Sequence, residues 1–271
     1  MPTVQINDVR LHYEVTGHGD PLMMVMGLGG SSAAWAPELI AELERSFQTI
    51  IYDNRGTGKS DKPDVPYSLE MFAADAIAIL DELKLSRVHL FGVSMGGMIA
   101  QEIALRYGSR LQTLTLGCTT CGGRNAVPPP EESIKLLTAP REGLSDEEVI
   151  RRGWPLAYTP EYIKNHRAEL EASIPRLLAH PTPTFIFKRH LEATYGLKTY
   201  DRLPQITTPT LVITGAKDVL IPARNSEILA ERIPVARLHI IPNAGHAFFN
   251  EAREEFLKEF VPFLKAHPIG A

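Results

Sequence analysis

Three unbroken apolar runs, LMMVM, VHLFGV and TLVITG, within or beside residues 22–26, 87–93 and 209–214, constrain this chain's fold most. A strand with one face in water alternates apolar and polar residues. A strand that does not alternate is buried on both faces, which a mostly parallel sheet covered by helices provides. Five more strands are expected at 3–7, 10–16, 48–52, 111–117 and 236–241, making eight. The first two read as an edge hairpin, separated only by Asn7, Asp8 and Val9. Amphipathic helices lie between the strands. In SLEMFAADAIAILDELKL, Phe72, Ala76, Ile79, Leu80 and Leu83 share one face and Ser68 is placed to cap the start. Residues 96–107 follow the same pattern, with Ile99, Ile103 and Leu105 among the apolar positions. Repeated βα units predict a doubly wound α/β sheet.

The rhythm breaks between residues 122 and 203. That stretch is richer in proline, arginine and aromatic residues and predicts helices at 145–153, 160–178 and 183–194 without strands. Ser145 followed by Asp146, Glu147 and Glu148 is a helix start with acid at its positive end. The expected organisation is a core of residues 1–121 and 204–271 carrying a helical cap, residues 122–203. A chain of 271 residues, 44% hydrophobic, is long enough for one such core with an insertion.

A net charge of −4 gives no electrostatic reason to expect nucleic acid or an anionic membrane surface as partner. The pair Arg151-Arg152 reads as a solvated helix face. No window approaches the roughly 20 apolar residues that span a bilayer. The N-terminal MPTVQINDVRLHYEVTG alternates like a folded strand, unlike a signal peptide. A soluble, cytoplasmic protein is expected, as monomer or homodimer. Cys118 and Cys121 are spaced C-x-x-C but end a strand-like run rather than opening a helix. They read as small apolar fillers rather than a redox pair or metal site.

The chemistry centres on Gly92-Val93-Ser94-Met95-Gly96, a G-x-S-x-G pattern between an expected strand and an expected helix. There a sharp turn exposes the serine hydroxyl at the carboxyl edge of the sheet. A serine hydroxyl needs a base to become nucleophilic, and the base needs an orienting carboxylate. PTLVITGAKDVLIP ends a strand and then offers Asp218; ARLHIIPNAGHAFFN ends the next and then offers His246. Ser94, Asp218 and His246 thus fall in the order Ser, Asp, His, each beyond a strand end.

On the motifs MGLGGSSAAW (26–35), DNRGTGKSD (53–61), GVSMGG (92–97), GAKDVLIP (215–222) and NAGHAFFNE (243–251), the chain resembles the α/β-hydrolase superfamily over essentially its whole length. It looks most like the capped carboxylesterases and 3-oxoadipate enol-lactonase-like proteins. The resemblance implies the α/β-hydrolase fold and a catalytic triad of Ser94, Asp218 and His246. It also implies an oxyanion hole from the backbone N–H groups of Met95 and Leu28. Met95 would begin the helix after Ser94, where N–H groups lack intrahelical partners and the helix dipole favours negative charge. One departure is Met26, where many relatives have histidine, so the hydrogen bonds supporting the Leu28 loop must differ. In this family, the 53–61 loop is structural, with Asp53 and Arg55 placed to brace it.

Neighbouring motifs fail on inspection. GTGKS at 56–60 has Asp53 where a phosphate loop needs glycine, and GLGGSS lacks the third glycine of a dinucleotide fingerprint. No nicotinamide, flavin or other cofactor is expected. His166, His180 and His190 show no ligand pattern, so no metal is expected. Trp35, Trp154, Tyr158, Phe185, Phe187 and Phe248 are candidate pocket aromatics, although such side chains more often pack in cores. The expected activity is hydrolysis of small to medium apolar esters or lactones through an acyl-enzyme, with His246 titrating near pH 6–7. The same triad also serves C–C bond hydrolysis of ring-cleavage products and perhydrolysis. Haloalkane dehalogenases and epoxide hydrolases use aspartate where this chain has Ser94. A ligand-binding receptor with slow turnover is the alternative outside enzymology.

Overall fold

The structure, a computed structural model, describes residues 2–6 and 9–270. Eight strands form one sheet: β1 (Thr3–Ile6), β2 (Val9–Gly17), β3 (Asp20–Val25), β4 (Phe47–Tyr52), β5 (Val88–Val93), β6 (Leu111–Gly117), β7 (Thr210–Gly215) and β8 (Ala236–Ile241). Their order is β1-β2-β4-β3-β5-β6-β7-β8. β2 is antiparallel to β1 and β4, and every other pairing is parallel. All eight expected strands are present, and the unbroken apolar runs account for the central ones: β5 and β7 are buried at every residue. In the edge hairpin Ile6 pairs with Val9, so Val9 belongs to the strand rather than the turn. Asn7 and Asp8 lie outside the described residues.

Eleven helices accompany the sheet among the described residues: α1 (Pro37–Leu43), α2 (Leu69–Glu82), α3 (Met95–Tyr107), α4 (Glu131–Thr138), α5 (Asp146–Ala157), α6 (Pro160–Asn165), α7 (Arg167–Leu178), α8 (Thr184–Thr194), α9 (Arg224–Arg232), α10 (Phe248–Glu251) and α11 (Arg253–Lys265). One core cluster joins Phe72 and Ile79 of α2, Ile99 of α3 and Leu229 of α9 to Leu90 and Val212 of the sheet. A second joins Leu39 of α1 and Phe256 and Phe260 of α11 to Phe91 and Ile213. Fully burying each such side chain contributes about 2 kcal/mol, and alternation along β5 (Leu90 in one cluster, Phe91 in the other) sews both layers to one strand. Ser68 caps α2, accepting from the Met71 N–H at 3.2 Å.

Between β6 and β7 lie α4 to α8. Ser145 starts α5 with a reciprocal capping box to Glu148. Three details depart from the sequence expectation. α4 was not anticipated; its signal is the Pro128-Pro129-Pro130 run followed by Glu131 and Glu132 in the first turn. α5 runs past residue 153 through Pro155 although the proline cannot bond the carbonyl one turn back, because buried Trp154 and Leu156 anchor its last turn. The stretch 160–178 is two helices divided at His166, whose backbone (φ −116°, ψ 24°) leaves the helical region. Asn165 and His166 are weak helix formers at that junction. The segment's ends meet where Gly122 bridges Lys198. Among the described residues no helix is long and apolar enough to cross a membrane.

Connectivity fixes where a site can form. The chain passes from β3 outward to β4, then returns to place β5 on the other flank of β3. The loops leaving β3 and β5 therefore diverge above adjacent strands, and a crevice opens between them at the carboxyl edge.

Candidate active site

Ser94 sits on that crevice at the end of β5, with φ 56° and ψ −123°. This region is sparsely populated by side-chain-bearing residues, and holding it costs on the order of 1–3 kcal/mol. The Ser94 N–H donates to Gly117 O at 2.9 Å, and its carbonyl accepts from Gly97 N, Met98 N and Thr119 Oγ1. The flanking glycines are steric necessities. A Cβ at Gly92 would lie 2.3 Å from Gly96 O, and one at Gly96 would lie 2.1 Å from Val25 O.

Across the crevice, the loop after β3 brings Gly27 so close that a Cβ there would meet Ser94 Cβ at 2.9 Å. Leu28 and Met95 both border a cavity of about 400 Å³ that also contains Ser94. Neither backbone N–H finds an acceptor among the described residues. Two free donors thus share one apolar chamber with a strained serine.

The Leu28 loop is held by partners that sequence reasoning missed. Asn54 Nδ2 donates to Met26 O at 3.0 Å, and Asp53 Oδ1 accepts from Ser32 N at 2.7 Å. From the inserted segment, Thr182 Oγ1 donates to Gly29 O at 2.9 Å, and Gly29 N donates to His190 Nδ1 at 3.4 Å. His190 Nε2–H donates to Arg55 O at 2.9 Å, so this ring is neutral with its hydrogen on Nε2. Burial lowers its pKa to about 4, which keeps that tautomer at neutral pH. These contacts stand where a histidine at position 26 is absent. Asp53 and Arg55 brace the neighbouring loop as expected: Asp53 Oδ2 accepts from Lys59 N at 2.8 Å, and Arg55 grips buried Asp75 through two bonds of 2.6 and 2.5 Å.

Asp218 follows β7 and His246 follows β8. Asp218 Oδ1 accepts from the N–H groups of Leu220 and Ile221, both at 2.8 Å, which aims Oδ2 at His246 Nδ1, 2.7 Å away. The carboxylate is fully buried, and 12% of the imidazole side chain is exposed. With Nδ1 donating to aspartate, the neutral ring keeps its lone pair on Nε2. Burial by itself disfavours the imidazolium, but the charge and hydrogen bond of Asp218 outweigh it and hold His246 well above its ordinary value. The His246 loop is tied by Ala247 N to Ala157 O at 2.8 Å and by Gly245 N to Glu251 Oε2 at 2.8 Å. Glu251 also accepts from Thr159 N and Oγ1, linking this loop to the inserted helices.

Cys118 and Cys121 are free, buried thiols that pack in different core clusters. Cys118 Sγ lies within 4.8 Å of ligand atoms on both Asp218 and His246, a possible metal triad. A cation there would have to displace the hydrogen bond from His246 Nδ1. Burial pushes the Cys118 thiol up, so it stays neutral beside the pair at neutral pH.

The aromatic candidates divide. Phe187 borders a second cavity of about 200 Å³ together with His246. Trp35 packs against Phe91 and Phe249, and Phe248 is fully buried against Phe256. Trp154 fills a small core among the inserted helices with Leu170 and Ile174, and Tyr158 stacks on Tyr162. Phe185 is exposed. Five of the six candidate pocket rings therefore lie outside the two cavities that reach Ser94 and His246.

The sequence pattern of the Alpha/beta hydrolase family matches residues 17–259. "Putative carbamate hydrolase RutD" of Azorhizobium caulinodans is 32% identical over 253 residues, covering 92% of each chain. The enol-lactonase from Burkholderia xenovorans LB400 superposes with a TM-score of 0.83 at 26% identity, covering 97% of this chain and 100% of its own. A thermophilic esterase from Thermogutta terrifontis gives 0.82 at 26%, covering 99% and 100%. With that sheet order, the serine turn after β5 and these matches, the chain belongs to the α/β-hydrolase family and is a hydrolase.

Proposed function

We propose that this hydrolase cleaves carboxylic esters and lactones with apolar acyl groups through a Ser94–His246–Asp218 triad. The observation that carries the reading is the pair of unpartnered N–H groups, Leu28 and Met95, bordering the same cavity as Ser94. Two such donors stabilise a developing oxyanion by about 3 kcal/mol each. His246 Nε2 takes the Ser94 proton as Oγ attacks the carbonyl, and Asp218 stabilises the imidazolium. The imidazolium then protonates the departing alcohol. Water enters, His246 acts as base again, and the acyl-enzyme is cleaved. The helices between β6 and β7 act as a lid whose Ile134, Leu137 and Leu191 give the acyl chamber its apolar wall. The similarity to an enol-lactonase and an esterase supports this choice within the family.

Carbamates are the second reading, favoured by the 32% identity to the RutD protein. A carbamate carbonyl can be attacked by the same serine and held by the same donors. Initial rates on matched esters, lactones and aryl carbamates, with wild type and Ser94→Ala, separate the readings. Fast ester or lactone turnover lost in the variant supports the first. Turnover confined to carbamates supports the second, and ester turnover surviving in Ser94→Ala rules out the proposed nucleophile.

A further inference from the structure

We infer that Arg141 is a docking point for a carboxylate on the alcohol portion of the substrate, an inference that rests on the triad proposed above. Arg141 lies in the loop between α4 and α5, half-buried, with its guanidinium carbon 4.0 Å from the centre of the Phe187 ring. Among the described residues its side chain makes no hydrogen bond and no salt bridge. Arg152, also half-buried, donates to Pro140 O at 2.7 Å and Ala139 O at 3.1 Å. It therefore fixes the loop that presents Arg141 and adds a second positive charge without supplying an anion. Asp146 attracts Arg141 at longer range, and Glu142 and Lys188 border the outer groove beside it. Burial works against this guanidinium's charge, and nothing among the described residues bonds to it in return.

The two cavities assign the charge to one side of the scissile bond. The larger, with Ser94, Leu28 and Met95, is apolar and accepts the acyl group at the oxyanion donors. The smaller contains His246, Arg141, Arg152 and Phe187, and shares Leu137 and Leu220 with the larger. His246 must protonate the leaving oxygen, so the alcohol portion faces the smaller cavity. A guanidinium stacked on an aromatic face keeps its edge N–H groups free for the two oxygens of a carboxylate. The expected substrate, a small to medium apolar ester or lactone, is thereby narrowed to an apolar acyl group joined to an anionic alcohol.

The test uses two butyrate esters of equal shape, one of para-hydroxybenzoate and one of para-hydroxybenzamide. Their kcat/KM ratio, acid over amide, is measured for wild type, Arg141→Gln and Arg141→Lys. The ratio should fall about tenfold in Arg141→Gln, chiefly through KM, with Arg141→Lys between the two. Comparing ratios cancels the difference in leaving-group reactivity. In parallel, binding of para-hydroxybenzoate and para-hydroxybenzamide is read by tryptophan fluorescence, which needs no turnover. Preferential binding of the acid by wild type, lost in Arg141→Gln, supports the docking point even if neither ester is cleaved; that result removes the ester reading alone. Equal ratios in wild type and Arg141→Gln, with no preference for the acid in binding, overturn the inference while leaving any observed ester hydrolysis intact.

Discussion

At the residue scale, Ser94 holds a costly backbone conformation, and Asp218 stabilises the charged form of His246. The positive φ of Ser94 suits glycine, so Ser94→Gly should be about 1 kcal/mol more stable than Ser94→Ala, both variants being inactive. Chemical denaturation of the pair checks this; equal stabilities would show that the turn is not strained. His246 is held above its ordinary value by Asp218, and the sign matters. The pair's contribution to stability is complete below the unfolded value of about 6.5 and is lost as pH rises through the folded value. Activity runs the other way, because only the neutral ring can accept the serine proton. kcat/KM should therefore rise with pH to a midpoint above 6.5, higher than an unperturbed histidine gives. Asp218→Asn should lower that midpoint by about one unit or more and reduce kcat by about four orders of magnitude. A wild-type midpoint at or below 6.5 contradicts the Asp218–His246 coupling.

At the scale of elements, single side chains join the inserted helices to the loops that carry Gly29, Arg55 and His246. His190 on α8 bridges Gly29 N and Arg55 O, and Glu251 bridges Gly245 N and Thr159. Neither role was legible in the sequence, since a lone histidine at helical spacing carries no sign of its partners 135 and 161 positions away. His190→Phe keeps the ring contact with Phe72 but loses both bonds, leaving Arg55 O unpaired. It should cost about 2 kcal/mol of stability and lower kcat more than KM, because the Leu28 donor is misplaced. The wild-type contribution of His190 is complete above the unfolded value of about 6.5 and is lost as pH falls through about 4. His190→Phe should flatten that part of the stability profile, measured by denaturation between those pH values. The central strands were legible because double burial forces unbroken apolar runs. α4 and the break at His166 were not, because short helices on the surface are set by caps and neighbours more than by periodicity. The pocket aromatics were misjudged for a related reason: composition reveals that Trp35 or Phe248 is buried, but not against what.

At the scale of the whole molecule, one reversal in strand order does most of the positioning. It places the β3 and β5 loops side by side, and the parallel strands β7 and β8 deliver Asp218 and His246 to the same edge. That much follows from βα rhythm and the order of three residues in the chain, which is why the meeting of Asp218 and His246 at the edge that carries Ser94 is legible in the sequence. The two joined cavities could not be read, because their walls come from helices whose docking no local pattern specifies. The most direct test is rapid quenching of wild type with p-nitrophenyl butyrate, followed by mass spectrometry of the digested chain. The proposed mechanism predicts a transient butyryl group on the peptide carrying Ser94, absent from Ser94→Ala, with a matching burst of p-nitrophenol when deacylation is the slower step. Turnover without any acyl adduct, or an adduct on another residue, would contradict Ser94 as the nucleophile.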